Sequence, residues 1–512
     1  MCGITFGIHK SNSLLHLGSL NTLVHRGPDS QGFLSFNIGS FKLELAHTHL
    51  CINGIPGTQP FNTIDASLIV NGEIYNYKEL EKLLDYPLET KSDCEILLPL
   101  YKKYDLDMFK YINGQFSFVL VDKQRKRIII SRDSIGITSL YTAHNTLDDL
   151  VFTSELKTLD NYSHVKIFEP ASYLLIDLQY DTLFMKTQEY TTLPENDDYV
   201  MYSEPVLKHT LEKAITLRIP NSCEYGFLLS GGLDSSIIAA VAAKHSRLPI
   251  KTFSIGLSPD SPDLLHARIM AKHINSNHHE ILYTIEEGIQ TLQDTIHYVE
   301  SCDTTTVRSS TPMLILGRKI KQLYPSLKVL LSGEGSDELF GGYLYFKNAP
   351  TPTDFHNECI ERTKNLHKYD CQRAHKSLLA SGIECRVPFL DKNVVEYALR
   401  IDPLLKMHKV DGESLPEKYI LRRAFKDLLP PEITWRVKDQ FSDAVGYNWI
   451  TELKKYADIN TINFTEDEPN ETVMYRNLYN TAFKIGVDLI PSWQPKWTDD
   501  LDPSGQQFLN EI

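Results

Sequence analysis

The chain has 512 residues, of which 42% are hydrophobic and 23% charged, with a formal net charge of −14; this is the balance of an ordinary soluble globular protein rather than a disordered or fibrous one. The acidic balance, with no cluster of Lys and Arg, excludes a large nucleic-acid footprint. At ~150 residues per domain the length suggests two to four domains, and we read two.

The eight cysteines, at 2, 51, 94, 223, 302, 359, 371 and 385, form no CxxC pair. Neither a zinc knuckle nor a disulfide framework is expected, and a reducing cytosol is the expected setting. The start, Met1-Cys2-Gly3-Ile4-Thr5-Phe6-Gly7, lacks the basic region and apolar stretch of a signal peptide. No membrane span is expected either, because the longest apolar run, Ile237 to Ala243, falls far short of the ~20 residues a crossing needs.

In chain order, strand-like runs come first, at Ile4–Ile8, Phe41–Ala46, Leu68–Val70, Phe116–Val121, Arg127–Ser131 and Val151–Thr153. Helical spacing is confined to Leu14–Val24 and Cys94–Tyr104. A layered α+β domain over residues 2–187 follows from this mixture. The polar, acidic stretch 188–205, bracketed by prolines, reads as a linker. Beyond it, strands at Tyr225–Leu229, Lys251–Leu257, His279–Tyr283 and Lys328–Leu331 alternate with helices at 235–246, 263–275 and 285–300. That alternation predicts an α/β domain, residues 206–455, with a parallel sheet whose ligands lie at the strand carboxyl ends. The chain after ~350 reads as mainly helical, and the extension 456–512 as partly irregular.

Cys2 follows only the initiator methionine. If Met1 is removed, the freed α-amine, titrating near ~7.7 to 8.0, is a built-in base for the thiol; the bland alternative is an incidental reduced cysteine. His25-Arg26-Gly27-Pro28-Asp29, Asn71-Gly72-Glu73-Ile74-Tyr75-Asn76 and Ser92-Asp93 supply the polar glycine turns an acyl-transfer site needs, and the Asn71 amide with the Gly72 N–H suits an oxyanion hole.

The most informative motif is Ser230-Gly231-Gly232-Leu233-Asp234-Ser235-Ser236. An apolar strand, a glycine turn and a hydroxyl-rich helix start describe a pocket for pyrophosphate, and Asp234 within the loop suggests a divalent cation. The motif lacks the Walker lysine, which favours transfer of AMP over γ-phosphoryl transfer. The alternative is a plain Gly-Gly turn with a serine cap. Ser332-Gly333-Glu334-Gly335-Ser336-Asp337-Glu338 follows a second apolar strand. Alone it fits a solvated acidic loop; facing the first motif it reads as the other wall of one site, with Asp234 and Asp337 sharing Mg²⁺.

Cys2-Gly3-Ile4, HRGPD at 25–29, NGEIYN at 71–76, SDCE at 92–95, RDSIG at 132–136 and TSELK at 153–157 resemble an N-terminal-nucleophile glutamine amidotransferase domain. Joined to SGGLDSS, they resemble the glutamine-hydrolysing asparagine synthetases from Cys2 to about Gly446. The resemblance implies an αββα amidotransferase domain and an ATP-pyrophosphatase-type synthetase domain. It also implies glutamine hydrolysis through a thioester on Cys2, with Asn71 and Gly72 as the oxyanion hole. Glu73 and Asp93 are then implied to hold the α-ammonium of glutamine, with Arg26 supporting the site and His49 and Ile52 in the glutamine-contacting segment.

In the second domain the resemblance places Leu229, Ser230, Gly231, Gly232, Ser235, Ser236, Ile255, Ser332 and Gly333 against ATP. Glu334 is placed in forming and aminating an acyl-adenylate, Lys438 on the departing pyrophosphate, and Thr305, Thr306 and Arg308 on aspartate. It implies Mg²⁺ with ATP as co-substrate and no prosthetic group, glutamine or ammonia as nitrogen donor, and suggests a homodimer. One departure stands out: His49 occupies the place of the arginine that clamps the α-carboxylate of glutamine in the family pattern. A neutral imidazole offers no bidentate fork. Ser139, where the pattern has proline, is a lesser departure. Sugar-phosphate and phosphoribosyl aminotransferases share the first domain but not SGGLDSS, and β-lactam-forming relatives lack the cysteine nucleophile.

Overall fold

The computed structural model describes residues 1–10, 18–146, 149–179, 182–194, 198–410, 413–437, 448–461 and 468–498. They fall into two compact units. The first comprises Met1–Thr192 with the short segments Leu379–Glu384 and Phe483–Leu489, and the second comprises the rest.

The first unit is built on two six-stranded sheets. One contains β1 (Gly3–Lys10), β2 (Ser30–Ile38), β3 (Phe41–His49), β8 (Tyr141–His144), β9 (Asp149–Thr153) and β10 (His164–Ile167). The other contains β4 (Phe61–Asn62), β5 (Ala66–Ile74), β6 (Gly114–Asp122), β7 (Arg127–Arg132), β11 (Ser172–Gln179) and β12 (Thr182–Glu189). Every registered pair in both is antiparallel.

Strands β5, β6 and β7 are apolar on both faces because each face meets a different core. Ile69, Val119, Val121, Ile128 and Ile130 join Ile4, Phe6 and Leu43 between the sheets. Their alternating neighbours Leu68, Val70, Phe118, Leu120 and Ile129 face the helices, as the two-residue strand period requires. Those helices are α2 (Tyr77–Leu84) and α3 (Leu97–Tyr104), while α1 (Gly18–Asn21) is a single turn. The predicted helix Leu14–Val24 lies partly outside the described residues, and its described part ends at Asn21. The predicted helix Cys94–Tyr104 opens instead as a 3₁₀ turn, Asp93–Ile96. Pro99, which lacks an N–H, is accommodated in the first turn of α3 rather than mid-helix.

The second unit holds a five-stranded sheet in the order β15-β14-β13-β16-β17, from β13 (Glu224–Leu228), β14 (Lys251–Gly256), β15 (Asn277–Leu282), β16 (Leu327–Leu331) and β17 (Glu384–Arg386). Strand β13 pairs in parallel with β14 on one side and β16 on the other. The chain moves outward through β14 to β15 and then returns beside β13, so a topological switch point lies between β13 and β16.

Around the sheet run α4 (Glu204–Leu217), α5 (Leu233–His245), α6 (Pro262–His273), α7 (Ile285–Val299), α8 (Thr304–Leu323), α9 (Ser336–Phe340), α10 (Pro352–Asn365), α11 (Asp370–Leu379), α12 (Lys392–Arg400), α13 (Tyr419–Phe425) and α14 (Pro431–Thr434), followed by helices Asn448–Asn460 and Asn470–Ala482. Helix α5 begins two residues earlier than its sequence suggests, with Gly232 as N-cap, and Leu233 through Ala242 are all buried. This is why its sequence is apolar all round. Among the described residues no helix is long and apolar enough to cross a membrane.

Ile129 is 1% exposed at the centre of β7. Ile129→Ala should therefore cost about 2–5 kcal/mol and lower the melting midpoint of the first unit by roughly 5–15 °C. The control Thr187→Ala, on the exposed run of β12, should leave calorimetric melting unchanged within ~0.5 kcal/mol.

Candidate active sites

Cys2 stands at the mouth of β1 and is 6% exposed. Arg26 donates through Nε to the Cys2 carbonyl at 2.9 Å and pairs with the Glu155 carboxylate. The next residues are pinned by side chains: the Gly3 N–H donates to Thr48 Oγ1 and the Ile4 N–H to Ser154 Oγ, both at 3.1 Å. Burial pushes the Cys2 thiol up to about 11, although the nearby terminal ammonium and a Leu50 backbone hydrogen bond pull it down. With Met1 in place that ammonium belongs to Met1 and pairs with Glu384 at 2.5 Å. In this form burial keeps the thiol protonated at neutral pH.

Asn71, Gly72 and Glu73 lie at the end of β5, opposite Ser117, Phe116 and Gln115 of β6. The Asn71 amide donates to Ser117 Oγ at 3.4 Å and Ser154 Oγ at 3.5 Å, so Ser154 links Asn71 to β1, the strand that follows Cys2. Gly72 has a φ of +151°, and a Cβ there would lie 2.1 Å from the Gln115 carbonyl oxygen. Only glycine permits this approach. Glu73 accepts from Asn53 Nδ2 at 3.0 Å, and Asp93 accepts from the Ile74 N–H at 2.7 Å. Cys94, which carries no signal in sequence beyond its place in SDCE, donates to the Gly72 carbonyl at 3.4 Å. Burial, followed by the nearby Asp93 and Glu73 carboxylates, raises its thiol well above the ordinary range.

His49 ends β3, 5% exposed, and its Nδ1 accepts from the Gly57 N–H at 3.3 Å. Ile52 is buried in the following loop, where the Cys51 N–H donates to Asp29 Oδ2 at 2.7 Å.

In the second unit a cleft opens at the carboxyl ends of β13 and β16. Leu229, Ser230, Gly232, Asp234, Ser235, Ile255, Thr305, Thr306, Ser332, Gly333, Glu334 and Asp337 all line it. Gly231, Ser236 and Arg308 are not brought to its wall. Gly231 is pressed against the α6 backbone, and Ser236 is fully buried within α5. Arg308 makes a bidentate pair with Glu471, at 2.9 and 2.6 Å. Lys438 lies outside the described residues. Thr305 Oγ1 is buried without a hydrogen-bond partner among the described residues.

Several lining groups carry no recognisable motif. Lys418 is one; its ammonium lies 2.6 Å from Asp234 and 2.7 Å from Asp337. Two carboxylates that converge on one cationic nitrogen present the hard oxygen donors that Mg²⁺ takes alongside substrate phosphates, so the residues fit that ion. Ser336 Oγ donates to the remaining oxygen of Asp234 at 2.7 Å. Arg373 bridges Glu334 at 2.6 Å and Asp370 at 2.7 Å. Although burial opposes it, these two carboxylates hold the guanidinium well above its ordinary value. Glu338 is raised well above the carboxylate range by burial and then by Asp370 and Asp337, and it accepts from Tyr343 Oη at 2.5 Å. Arg436 donates to the Ser230 carbonyl at 3.2 Å and to Asp263 at 2.9 Å.

A family model described as a glutamine amidotransferase domain matches residues 1–186, and one described as asparagine synthase matches residues 206–354 and 347–483. The chain is 41% identical to a Schizosaccharomyces pombe protein named probable asparagine synthetase (glutamine-hydrolysing), over 100% of this chain and 99% of the relative. It is 41% identical to asparagine synthetase (glutamine-hydrolysing) 1 of Saccharomyces cerevisiae, over 94% and 93%. A probable asparagine synthetase of Dictyostelium discoideum is 38% identical over 99% and 98%. Both halves of the chain, and the two constellations they carry, thus place it in one family: the chain belongs to the glutamine-hydrolysing asparagine synthetases.

Proposed function

We propose that this protein converts aspartate to asparagine with ATP, taking ammonia from glutamine hydrolysed in the first unit. The observation that carries the reading is the convergence of the SGGLDSS and SGEGSDE loops on one cleft, with Asp234 and Asp337 within 2.7 Å of a shared cationic nitrogen. In the first half-reaction the Cys2 sulfur attacks the γ-carboxamide of glutamine. The α-amine takes the thiol proton and returns it to the departing ammonia. Asn71 Nδ2 and the Gly72 N–H stabilise the oxyanion, and water releases glutamate from the thioester.

In the second half-reaction the β-carboxylate of aspartate attacks the α-phosphorus of ATP, and pyrophosphate leaves. Ammonia then displaces AMP to give asparagine. Bound Mg²⁺ supplies charge neutralisation on the departing pyrophosphate; Asp234 and Asp337 would hold it. Ser230, Gly232 and Ser235 offer their N–H and hydroxyl groups to the phosphates, and Leu229 and Ile255 wall the nucleotide. Glu334, which Arg373 and Ser332 orient, takes a proton from the attacking ammonia. Thr305 and Thr306 meet aspartate, and Lys438 is assigned to the pyrophosphate. Residues 2–187 act as the glutaminase domain and 206–455 as the synthetase domain. A cytosolic location and a homodimer, which the family resemblance suggests, complete the proposal.

Cys2→Ala should abolish glutamine-dependent synthesis and preserve ammonium-dependent synthesis, as should a chain that retains Met1. Mass analysis of the product and of the N-terminus, with either nitrogen donor, checks both. Loss of both activities in a folded Cys2→Ala protein would refute the assignment. Asp234→Asn or Asp337→Asn should suppress aspartate-dependent pyrophosphate release with either donor, and wild-type rates in both would remove them from the site.

His49 replaces a charge-assisted clamp by a neutral ring, which should forfeit on the order of 1 to 3 kcal/mol of glutamine binding. His49→Arg should therefore lower the apparent glutamine constant about tenfold to a hundredfold, with ammonium-dependent rates unchanged. Tight glutamine binding by the wild type with no gain in the variant would assign the clamp to another residue.

A further inference from the structure

The segment Ser492–Trp497, beyond the last long helix, reads in sequence as an irregular tail, yet it is tied down along its length in the second unit. The Tyr369 hydroxyl donates to the Ser492 carbonyl at 3.4 Å, Asn348 Nδ2 to the Trp497 carbonyl at 3.1 Å, and Lys496 pairs with Glu358 at 2.6 Å. Arg362 donates to the Gln494 carbonyl. At its centre Trp493, 5% exposed, lines the cleft. Its ring meets Tyr343 edge-on at 5.7 Å and takes the Arg362 guanidinium on its face at 4.7 Å, a cation–π contact.

The backbone of Trp493 is placed as specifically as its ring. Its N–H donates to Asp303 Oδ1 at 2.8 Å. The other oxygen of Asp303 caps α8, accepting from the Thr306 N–H at 2.9 Å and Thr306 Oγ1 at 2.7 Å. The tail therefore holds the carboxylate that holds the first turn of α8, and that turn carries Thr305 and Thr306. Burial raises the Asp303 carboxyl, while the Trp493 and Thr306 N–H groups counter that rise, so the tail also favours the ionised, capping form.

From this geometry we infer that Trp493 is a positioning residue for the acceptor amino acid: its ring anchors the 492–497 strap, and its N–H fixes Asp303 and thereby Thr305 and Thr306. The inference rests on the aspartate-adenylating reading above. Among the described residues the polar contacts of the strap go to Asp303, Asn348, Glu358, Arg362 and Tyr369, and it meets the loop after β16 only indirectly, through Tyr343, so acceptor binding should change far more than nucleotide binding.

The test uses the full chain with ammonium as donor and pyrophosphate release as readout. Trp493→Ala should raise the aspartate KM tenfold or more, with the ATP KM within twofold, and Trp493→Phe should restore most of the loss. A stop after Ile490 should behave as Trp493→Ala does, and a stop after Thr498, which keeps the strap, as wild type. In wild-type protein labelled with 5-fluorotryptophan, with the signal assigned through Trp493→Phe, saturating aspartate with Mg-ATP should shift the Trp493 resonance.

An aspartate KM within twofold of wild type in a folded Trp493→Ala protein overturns the inference. Should that variant not fold, an unmoved Trp493 resonance overturns it equally. Failure of the wild type to release pyrophosphate with aspartate would instead overturn the underlying reading of the reaction.

Discussion

The chemistry of the second unit depends on how closely two strand-end loops approach. Gly333 lies so near the SGGLDSS helix start that a Cβ would sit 2.9 Å from Asp234 Cβ and 3.1 Å from the Ser235 nitrogen. That separation lets Asp234 and Asp337, 103 positions apart in sequence, reach the same ammonium of Lys418. The parallel sheet provides the approach, because β13 and β16 are neighbours and end on the same side. A side chain at position 333 would wedge the loops apart, and the carboxylates would cease to share a cation.

The first unit solves a different problem. It buries the Cys2 thiol, which by itself suppresses the thiolate; in the mechanism proposed above, ionisation is left to the amine freed when Met1 is removed. The polar groups around Cys2 are accordingly structural first: Arg26 holds the Cys2 carbonyl, and Ser154 ties Ile4 to Asn71. Each is itself buried, so each must be paired, and the pairing fixes where Asn71 stands relative to Cys2.

Strands β1, β3, β5, β6, β7, β9 and β13 to β16 and both loop motifs were legible in the sequence because alternation and glycine turns are local signals, whereas β2, β4, β8, β10, β11 and β12 were missed. The α3 start was misplaced since the spacing of Cys94–Tyr104 is helical while Pro99 constrains where the α-helix can begin. The rest of the cleft was illegible for a shared reason. Lys418, the α11 pair Asp370 and Arg373, and Trp493 come from three stretches far apart along the chain, and nothing near any of them marks it. Arg308 shows the reverse: a plausible carboxylate binder in sequence, it spends its fork on Glu471, a residue 163 positions away.

Strands β5, β6 and β7 run between two apolar cores, so hydrophobicity alone does not distinguish their faces. A slip of one residue between β5 and β6 would still match Ile, Leu, Val and Phe with one another. It would, however, set Asn71 opposite a phenylalanine instead of Ser117, and bring Gly72 against a different backbone neighbour. In a sheet whose register is otherwise weakly specified, the polar residues at the end of β5 mark the alignment of the strands. The same two side chains therefore bear on the alignment of the sheet, whatever else they do at the site.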